Sequence, residues 1–238
     1  MEIGILMAAG MGTRMRPITN TMPKPLVKVK GTPMIETVIA GLRLRGVDKI
    51  YIVTGYLGEQ FDYLAEKHDD IEIIRNTEFE TINNISSIRA LGDVMGSADC
   101  FICEADLYIT DPSFFTVDHD KSCYYGRMTE GLSEDWVFDT DENGRITRVG
   151  KRGVDKYNMV GVSYMKKEDA AIIRDAIIEA YGKGTGYEDL FWDDIVNANL
   201  DKLDLEVVPV TGDQIVEIDS VEELAEVDES YRGILENA

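Results

Sequence analysis

The chain opens MEIGILMAAGMGTRMRPITNTMPKPLVKVK, and this stretch constrains the fold more than any other. A short apolar run, Ile3 to Ala8, leads straight into the small-residue loop Ala9-Gly10-Met11-Gly12-Thr13-Arg14. The first thirty residues hold five Lys or Arg and one acid, a net charge of +4, whereas the other 208 carry −25. A basic, glycine-bearing loop at the end of a buried strand, on an otherwise acidic chain, predicts a local phosphate site. Glycine lets backbone N–H groups approach phosphate oxygens, and Arg14, Arg16 and Lys24 neutralise their charge. It is not a dinucleotide fingerprint, because the third glycine of GxGxxG is Met15, and the chain has no Walker GxxxxGK[ST] run.

The first half alternates strand and helix patterns. Strands are expected at Glu2–Ala8, Lys49–Thr54, Ile71–Arg75 and Asp99–Glu104. Helices are expected at Met34–Arg45, with Thr32 as N-cap and Gly46 as the stop, at Leu57–His68 and at Asn84–Val94. That order predicts an α/β fold: a Rossmann-like, mostly parallel sheet with helices on both faces. Ligands of such sheets bind beyond the carboxyl ends of the strands, where the glycine loop and the acids Glu104 and Asp106 fall.

The second half predicts added mixed strands: Ser122–Met128, Trp136–Thr140, Arg145–Val149, Tyr157–Met165, Leu205–Val210 and Gln214–Ile218. Asp141-Glu142-Asn143-Gly144 is a hairpin turn signal. Helices are expected at Lys166–Tyr181, Asp189–Ala198 and Ser220–Glu229, the last with Ser220 and Glu223 as a capping box. No linker is evident, so residues 1–238 read as one domain, with 1–118 facing a nucleotide and 119–238 facing an acceptor.

A net charge of −21 excludes nucleic acid and anionic membrane surfaces as partners. No signal peptide or membrane span is visible, so a cytoplasmic location is expected. Cys100-x-x-Cys103 lies in a strand-like run where residues three apart face opposite ways, which predicts core packing rather than a metal or redox pair. The two histidines, His68 and His119, both fall in polar segments and leave little for histidine acid–base catalysis. That suits a phosphoryl-type transfer run by metal and positive charge.

Glu104-Ala105-Asp106 follows a buried strand, and Glu217-Ile218-Asp219 repeats the pattern near the C-terminus. A carboxylate at the edge of a core needs a partner or a metal. Mg²⁺ takes one or two carboxylates and completes its shell with phosphate and water, so Asp106 and Asp219 are the expected metal pair. Each could instead cap a turn or a helix.

Gly10-x-Gly12-Thr13-Arg14-x-Arg16-Pro17 with Pro23-Lys24-Pro25 resembles the signature of nucleotidylyltransferases. Further pieces are Gly55 to Leu64, Asn83-Asn84 with Ser87, Glu134-Asp135-Trp136, Asp189 to Asp193 and Glu217 to Ser220. With these, almost the whole chain is similar to the phosphocholine cytidylyltransferase group. The resemblance implies CTP as donor, with the nucleotide held by Ala8, Ala9, Gly10, Gly12, Thr13, Asn83, Asn84 and Ser87. It implies catalysis by Lys24, Arg14, Asp106 and Asp219 with Mg²⁺, and phosphocholine as acceptor.

A quaternary ammonium is recognised by aromatic faces and carboxylates. The chain's two tryptophans, Trp136 and Trp192, are therefore the expected cage, with Asp189 and Glu217 beside them, although core packing is the usual fate of tryptophan. The same chemistry on 2-aminoethylphosphonate or phosphoethanolamine stays open, because the acids around both tryptophans suit a primary amine. A sugar 1-phosphate enzyme and a nucleotide-binding regulatory module without turnover are the remaining alternatives. A homodimer stays open.

Overall fold

The computed structural model describes residues 1–235. In chain order its elements are β1 (Glu2–Ala8), β2 (Lys28–Val29), β3 (Thr32–Pro33), α1 (Met34–Arg45), β4 (Lys49–Thr54), α2 (Asp62–Lys67), β5 (Ile71–Arg75) and α3 (Ile85–Ala90). They continue with β6 (Asp99–Glu104), β7 (Leu107–Ile109), β8 (Ser122–Thr140), β9 (Ile146–Met165), α4 (Lys167–Gly182) and α5 (Trp192–Asn197). The last are β10 (Leu205–Pro209), β11 (Ile215–Glu217), α6 (Val221–Val227) and α7 (Arg232–Leu235).

Seven strands form one sheet in the order β10-β8-β9-β6-β1-β4-β5. Strands β5, β4, β1 and β6 are mutually parallel. Strand β9 runs antiparallel to both β6 and β8, and β10 runs parallel to β8. The chain steps outward from β1 to β4 and β5, then crosses back to lay β6 on the other side of β1. That reversal opens a crevice at the carboxyl ends of β1 and β6, where ligands of such sheets sit. Met7 pairs with Glu104 at this edge, so the glycine loop and the first acidic motif leave the sheet side by side.

The period of two along β1 sends its apolar residues to both faces. Ile3 and Ile5 pack with Ile85, Ile88 and Ile173, while Leu6 and Ala8 pack with Ile35, Val38 and Leu42. Cys100 and Cys103 fall in opposite layers, and all three cysteines are buried and unbridged. A third, smaller cluster joins Met15, Val27, Val29 and Met34 to Ile218 and Leu224, fastening the C-terminal segment beneath the N-terminal loop. Ser220 and Glu223 cap α6 reciprocally at 3.2 and 3.0 Å. Among the described residues no helix is long and apolar enough to cross a membrane.

Several local expectations are corrected. Thr32 does not cap α1; it pairs with Val29 across a turn in which Lys30 and Gly31 take φ of 52° and 90°. The Leu57–His68 helix begins instead with Leu57 at φ 48° and a 3₁₀ turn, so α2 starts only at Asp62. The Asn84–Val94 helix is cut after Ala90, and Gly92 at φ 55° opens a separate 3₁₀ turn. The Asp189–Ala198 helix starts at Trp192, because the carbonyls of Glu188 and Asp189 are tied to Asn83. His119, in a polar segment, is nevertheless buried and bonded to the Tyr125 hydroxyl at 2.7 Å, and that burial lowers its pKa.

The largest difference is the region of β8 and β9. Where four short strands are expected, two long runs fold back on themselves, so that Val137 pairs with both Asn158 and Gly150, and Phe138 with both Tyr157 and Val149. The expected turn is present, with Asp141 accepting the backbone N–H groups of Asn143 and Arg145. The fold-back also uses Gly131, Arg152 and Asp155, all at positive φ, and the Gly131 N–H donates to the Asp155 carboxylate at 2.8 Å.

Candidate active site

The loop after β1 keeps its shape through backbone contacts. Gly12 takes φ 58°, and a Cβ on it would lie 2.8 Å from Cβ of Lys24, so a side chain is excluded both by conformation and by space. The Thr19 hydroxyl donates to the Gly12 carbonyl at 2.8 Å. The backbone N–H of Tyr56 donates to the Ala9 carbonyl at 3.1 Å, and the Tyr56 hydroxyl to the Thr19 carbonyl at 2.8 Å. Ala8, Ala9, Gly10, Gly12 and Thr13 all line one large cleft.

Lys24 is buried at the floor of that cleft, with Nζ 2.6 Å from both Asp106 and Asp219. The antiparallel pair β7 and β11 makes this meeting possible: Leu107 faces Glu217, so the acids at the adjoining ends of the two strands converge. Arg14, largely exposed, reaches the second oxygen of Asp219 at 3.0 Å. Burial works against the charge of Lys24, but Asp106 and Asp219 outweigh it and hold its pKa above the ordinary lysine range. Burial likewise works against the Asp219 carboxylate, and Lys24 and then Arg14 outweigh it and lower its pKa.

The cleft has a volume of about 840 Å³ and is lined by seven carboxylates against four cationic side chains. Burial, then the charges of Asp106 and Glu217, push the Glu104 carboxyl well above the usual carboxylate range. Glu217 touches solvent in the cleft mouth, yet crowding there and then the charges of Asp219 and Asp106 raise it to about 7. A Cβ on Gly161, which sits at φ 72°, would lie 2.9 Å from the Glu104 carboxylate, so the missing side chain leaves room for that group.

Among the described residues no three His, Cys, Asp or Glu side chains are arranged to hold a metal ion alone. The donor set nevertheless suits Mg²⁺: Asp106 and Asp219 already hold one cation, the Lys24 ammonium, between them. Phosphate and water would complete the shell, as that ion prefers.

Asn84 and Ser87 also line the cleft. Ser87 accepts a bond from Asn76 at 3.2 Å, while the Asn84 carbonyl oxygen accepts the backbone N–H of Trp192 at 2.7 Å and so caps α5. Asn83 does not line the cleft; its amide holds the Asp189 carbonyl at 3.2 Å.

The candidate acceptor wall is Trp136, Phe191, Lys151, Arg127, Asn158, Glu134 and Asp135, with Glu217 nearby. Trp136 and Phe191 meet edge to face at 5.4 Å, and the Lys151 ammonium lies 5.2 Å from the Phe191 ring and 5.8 Å from the Trp136 ring. The expected cage of two tryptophans is not formed. Trp192 is buried beneath Tyr124, ring to ring at 5.6 Å, and Phe191 takes its place in the cleft. Asp189 points its backbone toward Asn83 and stays outside the cleft. Arg127, Lys151, Asn158 and Phe191 were not singled out from the sequence. Nothing in their spacing marks them: the folding back of the β8–β9 run decides that Arg127, Lys151 and Asn158 line the cleft, and the packing of Trp192 on Tyr124 leaves Phe191 to do so.

The nucleotidyl transferase family model matches residues 3–132, more than half the chain. A 2-aminoethylphosphonate cytidylyltransferase of Lancefieldella rimae is 52% identical over 97% of this chain and 94% of its own length. A choline-phosphate cytidylyltransferase of Streptococcus pneumoniae is 33% identical over 96% of this chain and 98% of its own. The solved structure of a CTP:phosphocholine cytidylyltransferase from Streptococcus pneumoniae superimposes with a TM-score of 0.88 at 32% identity, covering 97% of this chain and 99% of that one. The chain belongs to the nucleotidyl transferase family.

Proposed function

We propose that this nucleotidyltransferase joins CTP to 2-aminoethylphosphonate and releases pyrophosphate. The observation that carries the acceptor is the 52% identity, over nearly the whole of both chains, to an enzyme of that name. The cleft supports the choice. Carboxylates able to accept N–H bonds line the same wall as the aromatic pair. A primary ammonium offers three donors, which a trimethylammonium lacks.

In this reading a phosphonate oxygen attacks the α-phosphorus of CTP in line, a new P–O bond forms, and the bond to pyrophosphate breaks. No protein nucleophile is needed. The backbone N–H groups of Gly10 to Thr13 and the Arg14 guanidinium bind the β- and γ-phosphates and stabilise the leaving pyrophosphate. Lys24 turns from its two carboxylates to the α-phosphate and the incoming phosphonate, offsetting the repulsion between two anions. Mg²⁺, held by Asp106 and Asp219, would supply Lewis-acid neutralisation of phosphate charge. Ala8, Ala9, Asn84 and Ser87 wall the base, with Asn83 supporting that wall from behind.

A second reading, phosphocholine as acceptor, is favoured by the edge-to-face Trp136–Phe191 pair. One panel separates the two: pyrophosphate release from CTP with 2-aminoethylphosphonate, phosphoethanolamine, phosphocholine and glucose 1-phosphate, with and without a chelator. The expected order of kcat/KM puts 2-aminoethylphosphonate first, with turnover lost on chelation. Phosphocholine in first place would overturn the acceptor.

A further inference from the structure

One polar atom in the molecule stands apart. Among the described residues, Oδ1 of Asn158 is the one buried side-chain nitrogen or oxygen without a hydrogen-bond partner. Burying an acceptor without a donor costs about 1–3 kcal/mol, so such an atom is retained where something else supplies the donor. Asn158 lies on β9 and lines the acceptor wall.

The rest of its amide is committed. Nδ2 donates to the Ser133 hydroxyl at 2.8 Å, and that hydroxyl oxygen also accepts the backbone N–H of Asp135 at 3.2 Å. In the ligand-free protein the amide thus rests with its nitrogen toward Ser133, and its oxygen is the edge left without a partner. Backbone pairing fixes the residue from both sides, since Asn158 is in register with Arg127 and with Val137.

We infer that Asn158 is the specificity-determining residue for the acceptor amine: its Oδ1 accepts an N–H from a primary ammonium and penalises a trimethylammonium, which has none. This rests on the aminophosphonate reading above. Trp136 and Phe191 would serve either headgroup, because a π-face attracts any cation. The carboxylates Glu134 and Asp135 would attract either as well. A buried neutral acceptor discriminates, because a ligand without a donor leaves it unpaired. In the ligand-free cleft Oδ1 meets no solvent, so an entering N–H reaches it only when the amide turns about its soft χ2 torsion and gives up the bond to Ser133.

The test uses CTP with phosphoethanolamine and its N-methyl, N,N-dimethyl and N,N,N-trimethyl derivatives, in which only the number of N–H donors and the methyl bulk change. Wild-type kcat/KM should fall in a step of roughly 10- to 100-fold at the third methyl, the range expected for a hydrogen bond to a charged group. Asn158→Leu should flatten that step through the acceptor KM, with the CTP KM unchanged and the melting temperature no lower than wild type. Asn158→Asp keeps an acceptor oxygen, so it should retain the step; being nearly isosteric, it also decides the matter if Asn158→Leu does not fold.

A wild-type step that survives in Asn158→Leu overturns the inference and leaves the cytidylyltransferase reading intact. Loss of primary-amine turnover in Asn158→Asp, as an anion-binding Nδ2 would give, also overturns it. A wild-type preference for the trimethyl compound, or no turnover of any amine with 2-aminoethylphosphonate included, overturns the acceptor reading and the inference with it.

Discussion

The two walls of the cleft are built by opposite means. On the wall proposed for the nucleotide the lining is mostly one small-residue loop, held by Thr19 and Tyr56, in which Gly12 is glycine because Lys24 lies against it. On the wall proposed for the acceptor most of the lining is side chains carried by a β8–β9 run that folds back on itself. Backbone recognition of phosphate is set by loop shape, which tolerates few alternatives. Side-chain recognition on a strand can be rewritten one residue at a time without moving the scaffold. The difference explains how a shared transfer chemistry can accompany different acceptors among relatives similar along their full length.

The largest effect expected to test this division is on stability. Trp192 supports the acceptor wall from inside, so Trp192→Ala should cost about 3–5 kcal/mol, the range for a large aromatic removed from a core. Chemical denaturation reads this directly. A fully stable Trp192→Ala with a raised acceptor KM would move Trp192 from scaffold to cage.

Next comes the floor shared by both walls. Lys24→Ala should lower kcat by at least about 10²-fold, as loss of a transition-state charge stabiliser does. The loss should be the same for every acceptor, and rates for two acceptors check it. A loss confined to one acceptor would break the division between walls.

Smaller again is Trp136→Ala, which should raise the acceptor KM by about tenfold and leave the CTP KM alone, as a partly desolvated cation–π contact predicts. An equal rise in the CTP KM would show that the walls are not separable.

The smallest effect concerns Asp193, buried behind the acceptor wall, whose carboxylate accepts the Tyr124 hydroxyl at 2.9 Å. Burial pushes its pKa to about 7 from an ordinary 3.8, against the lowering effect of the tyrosine bond. The folded state thus holds this proton more tightly than the unfolded one. The stability it contributes is full below pH 3.8 and is lost as pH rises through 7. Asp193→Asn, still able to accept from Tyr124, should stabilise the protein at about pH 8 and by nothing near pH 3.5. Thermal melts across that window check the sign.

The same contrast governs what the sequence makes legible. β1, β4, β5 and β6 match their expected bounds, because each is a short run rich in Ile, Val and other apolar residues. The glycine loop, Lys24, Asp106 and Asp219 stand out for a related reason: each belongs to a short motif next to such a strand. The acceptor wall is different. Trp136 is visible as a rare residue, but whether Trp192 or its neighbour Phe191 reaches the cleft depends on which one packs on Tyr124, a residue 68 positions away. Asn158 and Lys151 line the cleft together because Val137 and Phe138 are paired on both edges. A strand's local alternation records one pairing and carries no trace of a second.

The clasp of the C-terminal segment beneath the N-terminal loop bears on how the protein is born. Lys24 and Asp219 are 195 positions apart, so at a ribosomal rate of about 5–20 residues per second the carboxylate is added roughly 10 to 40 s after the lysine. During that interval the nascent sheet can assemble from β1, β4, β5 and β6, but Met15, Val27 and Met34 lack the Ile218 and Leu224 that cover them. The loop made first is thus finished last, and a ribosome-bound chain stalled before Asp219 would carry a folded sheet without a working site.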